Sequence, residues 1–490
     1  MKMLAFDLGA SAGKIFLGSF DGNSLNLNVV KRFDNNQIFV RDEIFWDVLN
    51  IFDCIKDGIT NGLQKENKII SIGLDSFSND FGLLDKDGRF ISQVHCYRDR
   101  RTKRTEEKIY SMISKETLHS LCGNQNALFG TLMQLASMRI EKQFFLLKGA
   151  GSLLLLPDLL IYFLTGEIYS EYTISSVSQM MDLNKGTWSP EILEIFGIPI
   201  NIMPSIVQPG TRIGKITGNS DCLVNGGEIE VVSVCEHDTA SAFLAAPQGG
   251  DSIIISSGTW SLVGVETKAP IINDYTFRHN IANEGGFPGH HRLLKNVMGL
   301  WLIQECRRHY IQQGMEFSFE DLIRIALLEE PFKHMINPND ERFFSPGNMP
   351  EKISNFCVEN RQERLKSPGE IIRCVVESLA LQYRLVIEEL ETVVNRKFSQ
   401  INIVGGGSNN GFLDQCVANA TGKSVYAGPI EATAIGNLVV QLFSFGEIGS
   451  AAQGRQLVRN SFSMDLYEPE NIPEWEARYQ EYSQMINFKK

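Results

Sequence analysis

The two halves of the chain open in the same way, and this repeat limits the possible folds more than any other feature. Each half begins with an apolar strand, a turn of small residues with hydroxyl groups, and a second apolar strand, over residues 4–15 and again over 253–263. Short apolar strands that alternate with helical patterns are typical of α/β proteins. Two such hairpins, if they face each other, could hold a polyphosphate from both sides.

Other apolar runs predict the remaining elements. The predicted strands cover 3–6, 15–18, 69–74, 229–234, 253–255, 261–265 and 401–404. The clearest helix begins at Ser367, where the sequence supplies an N-cap, a proline in the first turn and Glu370 for a capping box. The residues that repeat at helical spacing, and so predict one buried face, are Leu379, Tyr383, Val386 and Leu390.

The length of the chain predicts two lobes. At 490 residues it is too long for one ordinary hydrophobic core, so we expect two domains with a cleft between them. A stretch with glycine and proline, 245–250, separates a helical pattern from a new strand. The predicted domains are 1–245 with the first hairpin, 246–449 with the second hairpin, and 450–490, a C-terminal segment packed on the fold.

Composition excludes several classes of protein. Hydrophobic residues make up 43% and charged residues 21%, as in soluble globular proteins. The net charge of -12 argues against a nucleic-acid partner, which needs a basic surface. An acid, Asp7, comes before an export signal could be complete. The most apolar stretch, 151–164, is interrupted by Pro157 and Asp158 and is shorter than the ~20 residues of a membrane-spanning helix. It predicts a buried core segment.

The nine cysteines indicate neither a disulfide framework nor a zinc site. Their number is odd, and no Cys-x-x-Cys pair is present. We expect a chain that resides in the reducing cytoplasm.

The first hairpin has the parts of a phosphate-binding turn. Glycine permits close approach of the backbone, and successive N–H groups with hydroxyls form concave anion sites. The turn at 9–14 contains these parts and a cation, Lys14. Asp7, at the end of the strand, is placed to hold magnesium through water, because that ion keeps much of its hydration shell. An ordinary tight hairpin explains this turn alone equally well, but a second matched turn at 257–259 favours phosphate binding.

Two further motifs follow predicted strands. Gly405, Gly406 and Gly407 come between a strand and a predicted helix, where the backbone could lie against a nucleotide, although a tight connection is the alternative. The run does not match the dinucleotide fingerprint, so we set aside a dehydrogenase. His237-Asp238-Thr239 also follows a strand, at the place where α/β sheets gather ligand chemistry. Capping of the next helix by Asp238 is a second role that can coexist with the first.

Together these motifs resemble those of the FGGY carbohydrate kinases in order and spacing. The resemblance rests on 7–11, 237–241, 256–261, 283–286, 405–407 and 431–437. Four features are particular to the branch of the family whose sugar is the ketose L-rhamnulose: the Ser-Gly-Thr-Trp-Ser turn at 257–261, the segments 294–304 and 336–340, and Tyr97-Arg98-Asp99 with Arg101. The resemblance extends to about residue 449.

The resemblance implies a fold and a reaction. The fold is a two-lobed, actin- and hexokinase-like (ribonuclease H-like) ATPase with the sugar side in the first lobe and the adenosine site in the second. The reaction is direct, in-line transfer of a phosphoryl group from ATP, with Mg²⁺, to a ketose hydroxyl, with L-rhamnulose becoming L-rhamnulose 1-phosphate. A kinase for L-fuculose or another ketose is the alternative. A non-catalytic ATPase on the same fold is a further alternative, although such a protein has no use for the His-Asp-Thr motif.

The resemblance also assigns roles to single residues. It makes Asp238 the catalytic base, and an ordinary aspartate, with a pKa of ~3.9, is ionised at neutral pH and can accept a hydroxyl proton. It places the metal on Asp7. The implied ATP contacts are Ala10, Ser11, Ala12, Gly13, Lys14, Thr259, Gln304 and Gly406, and the implied sugar contacts are His237, Thr239, Asn296 and the backbone of Ser78. The expected partners are the sugar and ATP, with no nucleic acid and no membrane, in a monomer or a dimer.

The chain departs from that branch in one sugar-side loop. Its relatives read Asp-Thr-Trp-Gly-Val-Asp, whereas residues 75–80 here read Asp-Ser-Phe-Ser-Asn-Asp. Phe77 lacks the indole donor, and Ser78 keeps the backbone N–H but narrows the space. The loop is therefore expected to hold rhamnulose differently or to prefer another ketose. Lys14 stands where arginine is common, so the charge is kept and bidentate geometry is lost.

Overall fold

The computed structural model describes residues 1–217 and 228–487. The strands are β1 Lys2–Leu8, β2 Ala12–Phe20, β3 Leu25–Asp34, β4 Gln37–Val40, β5 Glu43–Trp46, β6 Ser71–Ser76, β7 Phe81–Leu84, β8 Ser152–Leu155, β9 Ser170–Glu171, β10 Met181–Asp182, β11 Thr187–Trp188, β12 Ile206–Val207, β13 Arg212–Lys215, β14 Glu230–Val232, β15 Ile253–Ser257, β16 Trp260–Thr267, β17 Ala282–Gly285, β18 His291–Met298, β19 Gln400–Val404, β20 Ser424–Ala427 and β21 Asp465–Tyr467.

The helices complete an α/β fold. They are α1 Val48–Lys65, α2 Arg101–Met112, α3 Lys115–Cys122, α4 Thr131–Ile140, α5 Phe145–Gly149, α6 Leu156–Thr165, α7 Tyr172–Ser176, α8 Pro190–Phe196, α9 Asp238–Leu244, α10 Asp274–Arg278, α11 Trp301–Gln312, α12 Phe319–Leu327, α13 Met349–Glu359, α14 Pro368–Val394, α15 Gly411–Thr421, α16 Ala432–Ser444, α17 Ala451–Ser461 and α18 Ile472–Asn487. Each of the seven predicted strands coincides with an observed one, and the ends differ by a few residues.

The chain divides into two compact units, each made of three segments. The first unit contains Met1–Gly249, Glu266–Leu293 and Ala432–Ser461, and the second contains Gly250–Val265, Leu294–Glu431 and Phe462–Lys490. The predicted domain limits at 245 and 449 stay a prediction.

The first unit is built on a six-stranded sheet in the order β13-β14-β6-β1-β2-β3. β1 and β2 form the predicted antiparallel hairpin, and β1 is parallel to β6, which is parallel to β14. Apolar side chains of β1 and β6 pack against α1 and α6 in one core. A second core lies among β7, β8 and the helices α2, α3, α4, α5, α7 and α8. The three parallel strands therefore end at one edge of the sheet.

The second hairpin, β15 and β16, belongs to a seven-stranded sheet in the order β17-β18-β16-β15-β19-β20-β21. β15 is antiparallel to β16 and parallel to β19, so the arrangement around this hairpin repeats that of β1, β2 and β6. This agreement confirms the predicted repeat of a strand, a turn and a strand.

Helix α14 begins as predicted, with one difference. The Ser367 side chain accepts the N–H of Glu370, and Pro368 occupies the first turn. The Glu370 carboxylate accepts the N–H of Lys366 and also contacts the N–H of Ser367, so the reciprocal half of the capping box is shared with the preceding residue. The four residues of the predicted apolar face, at 379, 383, 386 and 390, are fully buried.

The stretch 151–164 is buried as predicted, and it forms β8 followed by α6 with Pro157 in the first turn. Over 1–217 and 228–487, no helix has the length and apolar character needed to cross a membrane. Eight cysteines in these ranges are free thiols, and Cys222 lies outside the described residues.

Candidate active site

Three aspartates come together at one edge of the first sheet. Asp7, near the end of β1, lies directly opposite Asp75 on the parallel strand β6. The chain after β14 continues along the same edge, where Ser76 forms a bridge with His237. Because parallel strands present their carboxyl ends at one edge, Asp7, Asp75 and Asp238 become neighbours although they are far apart in sequence.

Asp75 is the fully buried member of this group, and its pKa is shifted upward. Its side chain is fully buried, and Oδ2 accepts a hydrogen bond of 2.6 Å from Asn437 Nδ2. Oδ1 is buried with no hydrogen-bond partner in the described chain. Burial, and then the charges of Asp7 and Asp238, raise the pKa of Asp75 well above its ordinary value. The edge formed by Asp7, Asp75 and Asp238, the aspartate edge, therefore favours a positive charge placed beside it.

These observations fit a metal ion held through water. The orphaned carboxylate oxygen of Asp75, beside Asp7, offers oxygen donors of the kind that Mg²⁺ prefers. In the described ranges no three acidic, histidine or cysteine side chains converge closely enough to ligate a metal directly. The contact of Asp7 with the metal through water stays a prediction.

Helix α16 supports Asp75 from behind. A Cβ atom at Gly436 would lie only 1.9 Å from the carbonyl oxygen of Ser241 on α9, so the two helices pack backbone against backbone. This approach lets Asn437 reach Asp75, and Gln441 in turn donates to Asn437 Oδ1 at 2.8 Å. The motif at 431–437 therefore holds the Asp75 side chain in place at the aspartate edge.

The His237-Asp238-Thr239 motif forms the start of α9. His237 is the N-cap residue and Asp238 is the first residue of the helix. The Asp238 side chain is 30% exposed, so a substrate can reach it. Its Oδ1 accepts the N–H and the hydroxyl of Thr239, at 2.5 Å and 3.0 Å. Thr239 therefore holds the carboxylate in place.

His237 has three charged neighbours. Its Nδ1 lies 3.0 Å from Arg292 Nη2 and 3.4 Å from Glu284 Oε2, and its Nε2 lies 3.5 Å from Asp238 Oδ1. Burial opposes ionisation of Glu284, but the charge of Arg292 holds the pKa of Glu284 below its usual range.

The backbone in front of Asp238 is fixed by a buried carboxyl cluster. Glu171 Oε2 accepts the N–H of Glu236 at 3.3 Å, and Thr173 Oγ1 accepts the N–H of His237 at 3.2 Å. Burial raises the pKa of Glu171 to about 7, and burial together with the charges of Asp158 and Glu171 raises that of Glu236 well above its ordinary value. Protonated carboxyls avoid the cost of buried charges, and the cluster can anchor the segment.

The first hairpin turn is shorter than predicted. β2 begins at Ala12, so Gly13 and Lys14 lie in the strand, with Lys14 directly opposite Asp7. A Cβ atom on Gly13 would lie 2.2 Å from the Phe33 ring, so the glycine is required for packing by β3. Ala10 and Ser11 remain in the turn, where Ser11 is exposed.

The loop at 77–79 contains a residue in a left-handed backbone conformation. Asn79 has φ of 85°, a left-handed conformation that asparagine tolerates far better than valine. The Ser78 hydroxyl accepts a hydrogen bond from Asn79 Nδ2 at 3.0 Å. Within the described residues the Ser78 N–H has no acceptor, and it remains available for a ligand. Phe77 is buried against Trp46, with ring centroids 4.8 Å apart.

In the second unit, Thr259 and Gln304 are neighbours. Thr259 Oγ1 lies 3.3 Å from Gln304 Oε1. The carbonyl of Thr259 accepts the N–H groups of Gly299 and Trp301, both at 3.2 Å, so the hairpin turn sits at the start of α11. Asn296 lies on β18, and its Oδ1 is buried with no hydrogen-bond partner in the described chain.

The glycine run 405–407 contains two closely packed glycines and one that borders open space. Gly405 has φ of 84°, and a Cβ atom on Gly407 would lie 1.9 Å from Ser257 Oγ. A Cβ atom on Gly406, between them, would meet nothing within 4 Å. Gly405 and Gly407 are therefore required by the fold, whereas Gly406 borders open space that a ligand can occupy.

The predicted site residues fall into two groups. The first unit contains Asp7, Ala10, Ser11, Ala12, Gly13, Lys14, Ser78, His237, Asp238 and Thr239, and the second contains Thr259, Asn296, Gln304 and Gly406. Within each unit the structure brings residues distant in sequence together, as with Asp7 and Asp238 or Thr259 and Gln304.

Family models of the N-terminal and C-terminal domains of FGGY carbohydrate kinases match residues 2–245 and 253–445. The chain belongs to the FGGY family of carbohydrate kinases. The predicted resemblance is thereby confirmed. As a member of this family the chain is an enzyme, and its substrates are ATP and a small sugar.

Full-length relatives agree with this assignment. The chain is 39% identical to a rhamnulokinase of Bacteroides thetaiotaomicron, over 98% of each chain, and 37% identical to one of Bacillus subtilis, over 96% of each. A solved xylulose kinase from Lactobacillus acidophilus superposes with a TM-score of 0.83 at 16% identity, over 99% of this chain and 98% of the other. That structure confirms the predicted fold.

Sequence reasoning missed several residues of this kinase. Asp75 has a signal, because it stands at the end of a predicted strand like Asp7. The motif at 431–437 contributes to the family resemblance but does not by itself indicate a role. Arg292 and Glu284 gave no clear signal as a pair, since only pairing of distant segments brings them to His237.

Proposed function

We propose that this FGGY kinase phosphorylates L-rhamnulose at O1, with ATP as the donor. The observation that carries the proposal is near-complete coverage by proteins named rhamnulokinase, at 37–39% identity, together with the aspartate edge that ends in an accessible Asp238. The alternative is L-fuculose or another ketose, and it is favoured by the departure at 77–79. The enzyme is expected in the cytoplasm, as a monomer or a dimer.

Asp238 is the proposed base. Its carboxylate accepts the proton of the sugar hydroxyl while that oxygen attacks the γ-phosphorus and the bond to the leaving ADP breaks. Two donors from Thr239 fix the carboxylate, so the proton acceptor is oriented before the substrate arrives. No covalent enzyme intermediate is needed.

Asp7 is the proposed holder of Mg²⁺ through water, beside Asp75. The ion supplies charge neutralisation on the β- and γ-phosphates. The residues proposed to contact ATP are Ala10 to Lys14 in the first unit and Thr259, Gln304 and Gly406 in the second. His237, Thr239, Asn296 and the N–H of Ser78 are the proposed sugar contacts.

The deciding experiment compares sugars. Release of ADP is measured with Mg·ATP and L-rhamnulose, L-fuculose, L-ribulose or D-xylulose in turn. We expect the highest kcat/KM for L-rhamnulose. A higher value for L-fuculose contradicts the substrate assignment and leaves the kinase assignment untouched.

The Ser78 contact has its own test. Ser78→Ala keeps the backbone N–H and removes the hydroxyl, so kcat/KM for the sugar is expected to stay within about twofold. Ser78→Pro removes the donor and is expected to lower kcat/KM about tenfold or more, because a lost hydrogen bond to a substrate costs ~1–3 kcal/mol. The KM for ATP serves as the internal control and should not change in either variant.

A further inference from the structure

The side chain of His237 is enclosed by a buried ion pair. Arg292 is fully buried, its Nε donates to the carbonyl of Gly285 at 2.7 Å, and its Nη2 lies 3.0 Å from both His237 Nδ1 and Glu284 Oε2. The Phe243 ring lies 5.7 Å from the guanidinium carbon. These contacts fix Arg292 in one orientation.

The chemistry of Arg292 decides the state of His237. A guanidinium has only donors, so a hydrogen bond from Nη2 to Nδ1 requires that Nδ1 be an acceptor. The imidazole is then neutral, with its proton on Nε2. In the competing arrangement, Nδ1–H would donate to Glu284 Oε2. That contact is longer, at 3.4 Å, and Glu284 Oε2 makes no hydrogen bond of acceptable geometry, so the Arg292 arrangement is favoured.

We propose that Arg292 is a positioning residue that holds His237 as the neutral Nε2–H tautomer, directed at Asp238 and the bound sugar, with Glu284 as the counterion of Arg292. The inference rests on the proposed function of Asp238 as the base. Were His237 an imidazolium, it would form an ion pair with Asp238, whose Oδ1 is 3.5 Å from Nε2, and weaken that carboxylate as a proton acceptor.

The charges around His237 explain why Arg292 is needed. Asp238 on its own helix and Glu284 on β17 both favour the imidazolium, and Arg292 on β18 opposes it. The hydroxyl of Thr173 on α7 accepts the N–H of His237, and the carboxylate of Glu171 on β9 accepts the N–H of the preceding residue. Removal of Arg292 would leave carboxylates without the opposing cation.

The kinetic test uses Arg292→Met, the double variant Arg292→Met with Glu284→Gln, and the control Arg455→Met. Arg455 forms a buried pair of the same kind with Glu266, at 2.7 Å, in the same unit. kcat and KM are measured from pH 6 to 8.5. We expect Arg292→Met to lower kcat about 10-fold or more at pH 6.5 and only about threefold at pH 8.5, because without the opposing cation the imidazole takes up a proton more readily, and a higher pH removes that proton.

The double variant removes both charges, so its pH profile is expected to return to the wild-type shape. Arg455→Met should keep the wild-type profile whatever its stability. If Arg292→Met and Arg455→Met give the same profile, Arg292 is only structural and the proposal is overturned.

A spectroscopic measurement does not depend on any variant at Arg292 folding. Wild-type enzyme labelled with ¹⁵N-histidine is examined at pH 7.5, and His237→Gln identifies the signals of residue 237. We expect an unprotonated Nδ1 and a protonated Nε2, and a protonated Nδ1 overturns the proposal. If the tautomer is as expected but Asp238→Asn keeps full turnover, the assignment of the base fails while the tautomer stands.

Discussion

The two hairpins share one topology and differ in chemistry. In the first, Asp7 lies opposite Lys14 across the hairpin and opposite Asp75 on the parallel neighbour. At the equivalent positions of the second hairpin, Ser256 lies opposite Leu262 and Val404. Strand pairing fixes the position of a side chain in the sheet. The residue at that position then determines its chemistry, an acid in the first hairpin and a hydroxyl in the second.

This comparison separates two tasks. The charged first hairpin is suited to a metal ion and, with Asp238, to proton transfer. The second hairpin and the glycine run offer hydroxyls and backbone N–H groups, which bind phosphate without adding charge.

The largest expected effect is at Asp238. Asp238→Asn removes the proton acceptor, so kcat is expected to fall by ~10²–10⁴, while nucleotide binding, measured by titration calorimetry, stays nearly unchanged. Asp274→Asn is the matched control, because Asp274 is also the first residue of a short helix in the same unit. More than about a tenth of wild-type turnover in Asp238→Asn would place the base elsewhere.

Asp7 and Ser256 give the direct comparison of the hairpins. Asp7→Ala is expected to lower kcat with Mg·ATP by about 10²-fold, since metal charge stabilisation amounts to several kcal/mol, and to affect sugar binding far less. Ser256→Ala, at the equivalent position, is expected to change kcat less than about threefold. Equal losses of turnover and of sugar affinity in Asp7→Ala would place Asp7 in the sugar pocket.

Two neighbouring glycines, Gly406 and Gly407, test where the nucleotide binds in the second unit. Gly406→Ala adds a methyl group to open space, so the melting temperature should be unchanged while the KM for ATP rises about 10-fold if nucleotide lies there. Gly407→Ala drives a methyl group into Ser257 and is expected to lower the melting temperature, as overpacking costs ~1–3 kcal/mol. An unchanged KM in Gly406→Ala would remove this glycine from the nucleotide site.

The smallest effect concerns stability and pH in the second unit. Burial raises the pKa of Glu377 to about 7, despite its contact with Arg373 at 2.8 Å. A raised folded-state pKa means that stability from this group is complete below its unfolded value of ~4.3 and is lost as pH rises towards 7. In Glu377→Gln, the drop in melting temperature between pH 5 and pH 8 should be about 1–2 °C smaller than in the wild type. An identical drop would show that Glu377 is not protonated in the folded chain.

Several elements could be predicted because their signals are local. The strands around both hairpins and the start of α14 follow from apolar runs and from capping residues that are adjacent in sequence. The limits of the first turn could not be predicted, because β2 begins at Ala12, where pairing with β3 begins, and the sequence does not show which residues pair.

The sequence by itself determined the α/β class, the paired hairpins and the kinase motifs, because each of these depends on residues that are close together along the chain. Only the tertiary structure decided which side chains become neighbours. Parallel pairing of β1 and β6 places Asp75 against Asp7, the contact of α16 with α9 brings in Asn437, and the strands β17 and β18 bring Glu284 and Arg292 to His237. The physical reason is that charge and hydrogen bonding act over a few ångströms in space, whatever the separation in sequence.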